Sequence, residues 1–249
     1  MFNAALIDAF PEHEAGATAA AQSVAGVRCL ASPHRDHVLT GRRFVVGEAA
    51  AQGDPGSHHD HARWREIRAR IEASSVPVGV KRHAVGIFAR LADAEAHVHG
   101  IEVEAVTFHE VGSADSIADI VAAAWLIDAL DGAAWSVGPL PLGSGQVRTA
   151  HGVMPVPAPA TARLLEGFAV LDDGIAGERV TPTGAAILRH LAPVSRAGLT
   201  GRIARSGFGF GTRRLPGISN VLRVLALEAD PVRPQAGTHR ELAVIGFEV

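Results

Sequence analysis

Between Val103 and Leu130 the chain passes from a β-prone run, Val103 to Phe108, through a turn at Gly112 into a helix read from Asp115 to Leu130. A short strand, a tight turn and a helix in that order belong to a layered architecture of sheet and helices. The helix is apolar apart from its acids, and Asp119 is the telling one. It lies between Ala118 and Ile120, where an unpaired carboxylate costs on the order of several kcal/mol.

The flanking segments agree with a mixed α/β (α+β) domain, a mixed sheet flanked by helices with irregular Gly/Pro-rich loops. Phe2, Leu6 and Ala9 share one helical face that ends before Pro11. Val27 to Leu30 and Phe44 to Val46 are β-prone, with turn signals between them. Gly47 to His61 reads as loop and ends in His58, His59 and His61. Trp64 to Ala73 and Gly79 to His97 read as helices, the second with Val80, Ala84, Ile87, Phe88 and Leu91 at helical spacing. Trp135 to Pro159 reads as a structured loop system, followed by a helix near Ala160 to Glu166. Thr181 is placed to cap a helix that has Pro182 at its first position. Strands are expected near Arg202 to Phe210 and Asn220 to Leu227. Asp230 to Gly237 reads as a linker and Glu241 to Val249 as a further strand.

Composition excludes several functions. The longest apolar stretch, Ile117 to Val137, is broken by Asp119, Asp128 and Asp131, short of the roughly 18 residues a spanning helix needs. No membrane partner is expected, and the acidic opening to Asp8 lacks a secretory pattern, which points to the cytoplasm. A net charge of −3 without a basic cluster argues against nucleic acid. Lys81, the sole lysine, precedes Arg82, so there is no Walker A loop. One cysteine, Cys29, builds neither a disulfide nor a thiolate metal site, and any metal must use the 13 histidines and the carboxylates.

His109 and Glu110 follow the expected strand, where open α/β sheets place their ligands, and Asp115 and Asp119 are one helical turn apart. The other reading makes His109 a core residue, Ser113 or Asp115 a cap, and Asp119 the partner of an arginine. His58, His59 and His61 offer imidazoles suited to nickel, zinc or copper, or form a solvated loop tip. His97 and His99 close a helix, where a positive imidazole complements the dipole. Leu142 to Gly145 and Gly207 to Arg214 could line a phosphate with backbone amides and with Arg213 and Arg214, or be ordinary turns.

Taken together, the segment TFHEVGSADSIADIV from Thr107 to Val121 resembles the signature of the LarC family of nickel-insertion proteins. Pro139 to Gly145, His151 to Thr161, Thr181 to Ala186 and Asn220 to Arg223 are similar to that family in order and spacing. The resemblance implies an enzyme that inserts Ni²⁺ between the two thiocarboxylate sulfurs of pyridinium-3,5-bisthiocarboxylic acid mononucleotide. A nickel–carbon bond forms and CTP is consumed with Mn²⁺ or Mg²⁺, giving the nickel-pincer cofactor of lactate racemase. It implies His109, Glu110, Asp115 and Asp119 as catalytic, with His58, His59, His61, His109 and Glu110 as metal ligands. Gly143, Ser144, Gly145, His151, Thr181, Thr183, Arg213 and Arg214 are the implied holders of the mononucleotide.

Departures from the family pattern shape the expectation. The family opens with a strand and Gly-Asp-Met-Phe, whereas this chain starts at Met1-Phe2, and Thr107 stands where many relatives have histidine. The expected organisation is a LarC-type amino-terminal domain over 1–228, with its histidine-rich loop at about 47–61. Residues 229–249 are read as a linker and the first strand of a cut-off CTP-binding domain. The partners implied are the pincer-cofactor precursor, that domain supplied separately or lost, and a second copy of the chain. A non-catalytic nickel store or scaffold is the other reading, and an unrelated metal-dependent hydrolase fits the residue types but not the motif order.

Overall fold

The apolar helix of the sequence lies at the centre of the structure. This computed structural model describes residues 1–47, 62–109, 111–149, 152–195, 200–215 and 217–228. The histidine-rich loop and the segment beyond Glu228 lie outside the described residues, as does residue 110.

In chain order, α1 (Phe2–Ala9) and α2 (Glu14–Ala25) lead into a hairpin of β1 (Cys29–Asp36) and β2 (Leu39–Val46). Strand β3 (Ala62–Arg63) precedes α3 (Trp64–Ala73) and α4 (Val78–His99). Strand β4 (Thr107–Phe108) then leads into α5 (Ala114–Ala129). Short strands follow: β5 (Ser136–Val137), β6 (Leu140–Pro141), β7 (Gly143–Ser144), β8 (Gln146–Thr149) and β9 (Gly152–Pro155). The chain continues through α6 (Pro159–Leu164), β10 (Val170–Leu171), β11 (Gly177–Glu178), α7 (Pro182–Leu191) and β12 (Val194–Ser195). It ends, among the described residues, with β13 (Arg202–Phe210) and β14 (Val221–Glu228).

The main sheet has the order β1-β2-β13-β14. Its outer pairs are antiparallel, and β2 meets β13 in parallel at Gly209 and Arg42. Pro33 sits in β1, an edge strand, where a missing N–H breaks no ladder. Helix α1 lies directly on β13. A Cβ on Gly207 would run into Ala5 and Ala9, and one on Gly209 into Met1 and Ala5. These two glycines therefore serve close helix–sheet approach, which accounts for that part of the glycine-rich run without a phosphate. Asp8 locks the contact by accepting the Phe208 N–H at 2.9 Å.

Helix α5 buries Ile117, Ala118, Ile120, Val121, Ala122, Ala123, Ala124, Leu126 and Ile127. Such all-round burial is what an apolar helix requires. Alanines on α2 and the Ala84, Ile87, Phe88 and Leu91 stripe of α4 cover it. Ser113 caps its first turn by accepting the Ser116 N–H at 3.5 Å, as the capping pattern predicts.

The strand before His109 is shorter than the sequence suggests. Val103–Ala105 is a 3₁₀ turn, and only Thr107–Phe108 pairs, antiparallel with Ala62–Arg63. His109 therefore follows a two-residue antiparallel ladder and not a strand of an open parallel sheet. Residue alternation alone does not reveal that the partner strand is only two residues long.

Candidate functional site

Helix α4 ends with Glu95 and His99 one turn apart, so both side chains emerge on one face. The His99 Nε2 lies 3.4 Å from a Glu95 carboxylate oxygen. Against this face lies a cavity of about 60 Å³ lined by Glu95, His99, His109, Thr149, Met154 and Pro182, among others. His109 thus meets an acid and an imidazole from a separate helix. The cavity has the volume for an ion with a few waters but is far too small for a mononucleotide. Among the described residues no three His, Cys, Asp or Glu side chains already converge at metal-binding distance. His99 is a candidate that the sequence reading left as a dipole partner, and Glu95 is one that it did not single out. Their i, i+4 spacing beside the His109 segment was the available signal.

The expected phosphate-holding residues are gathered elsewhere. Gly143 and Ser144 pair with Glu178 and Gly177 in a two-residue ladder. Gly143 has φ +77°, and a Cβ there would strike the Gly177 carbonyl, so the close approach requires glycine. Arg213 lies over Gly177 and donates to the carbonyls of Ala176 at 3.2 Å and Glu178 at 3.4 Å. The two glycine-containing segments of the sequence, 142–145 and 207–214, are therefore joined through β11. Beneath them Arg179 is buried and donates to Asp173 at 2.8 Å. Gly145 accepts the Val156 N–H at 3.0 Å. From here β8 runs to Thr149, which lines the small cavity.

Thr181 caps α7 by accepting the Gly184 N–H at 3.2 Å, which assigns its hydroxyl a structural task. Thr183 is half-buried in the first turn of that helix. Beside Arg213 opens a cleft of about 560 Å³ whose walls include Arg35, Arg43, Arg213, Arg214, His34 and Asn220. His34 and Arg43 were not singled out from the sequence, because the fold brings them to Arg213 from a distant stretch, whereas Asn220 stood out there only as the first residue of a family motif.

The carboxylates divide differently from the expectation. Asp115 is exposed on the first turn of α5. Asp119 faces α1, where Asn3 donates to its Oδ1 at 3.2 Å and to its backbone carbonyl at 3.0 Å. Its partner is thus an amide, not the arginine that the structural reading of the sequence supplied. Burial pushes the Asp119 carboxyl above its ordinary range, the Met1 amino group pulls it part of the way back, and Asp115 pushes it up again. Cys29 lies close to this pair. Burial first, then Asp119 and Asp115, drive its thiol up to about 11, so it remains protonated and supplies no thiolate.

A further imidazole pair stands apart. His83 Nδ1 on α4 lies 2.9 Å from His190 Nε2 on α7. Arg82 approaches the other His83 nitrogen at 3.3 Å and only donates, so Nδ1 carries the His83 proton and points it at His190. Glu110, His151, His58, His59 and His61 lie outside the described residues. No helix among the described residues is long and apolar enough to cross a membrane.

The fold is a mixed α/β domain with an imidazole–carboxylate cavity and a separate arginine-lined cleft. The nickel insertion protein family matches residues 1–249, and the chain belongs to that family. It is 47% identical over 218 residues to a Geobacter sulfurreducens protein named for nickel insertion, covering 82% of this chain and 53% of that one. A Thermomicrobium roseum protein named likewise is 44% identical over 92% of this chain and 55% of its own length. The pyridinium-3,5-bisthiocarboxylic acid mononucleotide nickel insertion protein of Akkermansia muciniphila is 44% identical over 80% of this chain and 49% of its own. The chain thus spans about half the length of these relatives. No solved structure matches it.

Proposed function

We propose that the chain handles nickel and holds the organic precursor in the insertion of Ni²⁺ into pyridinium-3,5-bisthiocarboxylic acid mononucleotide. The observation that carries this reading is the cavity where Glu95, His99 and His109 meet from two segments. Nickel is here a substrate. Imidazole and carboxylate ligands suit it, and side chains that line one cavity without a closed cage can release the ion to a pair of sulfurs. Glu110, next in sequence to His109, is a ligand or the acceptor of the pyridinium C4 proton in this reading. The histidines at 58, 59 and 61 deliver the ion. Asp115 and Asp119 act on the placing of the helix that follows His109 and not on the ion itself.

By family resemblance, a carboxy-terminal domain supplies CTP with Mn²⁺ or Mg²⁺, the product serves lactate racemase-type enzymes, and the work takes place in the cytoplasm. Reconstitution tests the reading. The chain is mixed with the carboxy-terminal half of a relative, CTP, Mn²⁺, Ni²⁺ and precursor, with a full-length relative as the positive control. The nickel-pincer product, detected by mass spectrometry, is expected. Its absence while the full-length relative makes it counts against the enzyme-component reading in favour of a nickel store.

A further inference from the structure

The cleft beside Arg213 has a charge distribution that an acidic protein does not acquire by default. Among the described residues, four guanidinium groups, Arg35, Arg43, Arg213 and Arg214, line it together with His34 and His37, against one acid, Asp36. That acid already faces His37 at 3.9 Å. The chain as a whole carries −3, so the positive potential is local. Among the described residues none of the four arginines is in an ion pair with a carboxylate, whereas Arg42 next door reaches Glu14 at 3.5 Å.

Arg43 is held ready. Its Nη2 donates to His34 Nε2 at 2.9 Å and to the Gly211 carbonyl at 2.8 Å, while its Nε is buried with no acceptor. Arginine carries five N–H donors, so the two bonds made by Nη2 leave Arg43 others to give to an oxyanion seated in the cleft. Because arginine only donates, His34 Nε2 is the acceptor, and the ring's proton sits on Nδ1. The rim is stiffened as well: Arg213 is tied to the carbonyls of Ala176 and Glu178, and Asn220 donates to the Arg213 carbonyl at 3.1 Å. Arg214 is exposed at the mouth. At about 560 Å³ the cleft has the size of an ordinary small-ligand site, whereas the cavity at His109 has about 60 Å³.

We propose that this cleft seats the phosphate monoester of the pyridinium mononucleotide, with Arg43 as its fixed donor, Arg214 as its mobile one and His34 as the residue that positions Arg43. The inference rests on the reading of the precursor as a mononucleotide and extends the phosphate contacts beyond Arg213 and Arg214 to the β1–β2 hairpin. The phosphates of CTP offer the same chemistry, so the experiment has an arm for each source.

Calorimetric titration of the whole chain with nicotinic acid mononucleotide, its phosphate-free riboside and CTP, all without nickel, tests it. The mononucleotide should bind at least about tenfold more tightly than the riboside and more tightly than CTP, with affinity falling as salt rises. Arg43→Gln and Arg214→Gln should each weaken it by about tenfold or more, and Arg68→Gln, an exposed residue paired with Glu104, should leave it unchanged. Arg214 makes no bond to the protein among the described residues, so its variant remains informative if Arg43→Gln unfolds. Equal binding of mononucleotide and riboside, undiminished binding by Arg214→Gln, or preference for CTP would overturn the proposal. Since no nickel is present, such a failure is separable from a failure of the insertion reaction.

Discussion

Asn3 on α1 donates its side-chain amide to both the carbonyl and the carboxylate of Asp119 on α5, at 3.0 and 3.2 Å. One short polar side chain thereby joins the helix that covers the sheet to the helix at the centre of the core. Burial works against the ionised form of the carboxyl that it meets.

That relationship sets a pH dependence. A carboxyl whose folded-state pKa is raised binds its proton more tightly folded than unfolded, so it favours folding at acid pH and opposes it as pH rises through the folded value. Asp119→Asn keeps the oxygen that accepts from Asn3 and removes the charge. It should raise stability near pH 8 by on the order of 1 kcal/mol, with a smaller gain near pH 4, in urea denaturation. A loss of stability at pH 8 would mean that the ionised carboxylate is what the fold prefers.

Gly209 is the second constraint on α1. Gly209→Ala drives a Cβ into Met1 and Ala5 backbone atoms, which cannot yield without lifting the helix off β13. A destabilisation of about 1–3 kcal/mol is expected in thermal or urea unfolding, the usual cost of overpacking. An unchanged midpoint would show that α1 is free to shift.

The His83–His190 pair gives a titration of opposite sense. Burial, with help from His83, Arg90 and Arg82, lowers His190 to about 4, and burial lowers His83 as well. Groups kept neutral in the fold contribute fully above the unfolded value near 6.5 and lose that contribution as pH falls towards 4. The urea midpoint should therefore drop across that window, and His190→Gln should flatten the drop. An identical pH profile in the variant would assign the acid sensitivity to other groups.

Much of the fold is legible in residue order. Helical spacing located α1, α3, α4 and α5, and Thr181 with Pro182 marked the start of α7. The hairpin of β1 and β2 exceeded its β-prone ends because pairing with a partner carries Pro33 and His34 into the ladder. The strand before His109 shrank because Ala62–Arg63 offers only two residues to pair with. At the candidate site, His109 was recognisable from its motif. Glu95 and His99 were not, since a histidine at a helix end has an adequate electrostatic role without a ligand. Of the cleft, only Arg213 and Arg214 were offered by the sequence as phosphate donors, because His34 and Arg43 reach them only when β2 and β13 share a sheet.

The central claim, that nickel is taken by Glu95, His99 and His109, is tested most directly by calorimetric nickel titration. The reference is a chain whose loop imidazoles are removed by His58→Ala, His59→Ala and His61→Ala, so that the affinity left belongs to the rest of the protein. In that background His99→Gln and His109→Gln should each weaken nickel binding by about tenfold or more without shifting the thermal midpoint. Undiminished nickel affinity in both variants would contradict the account.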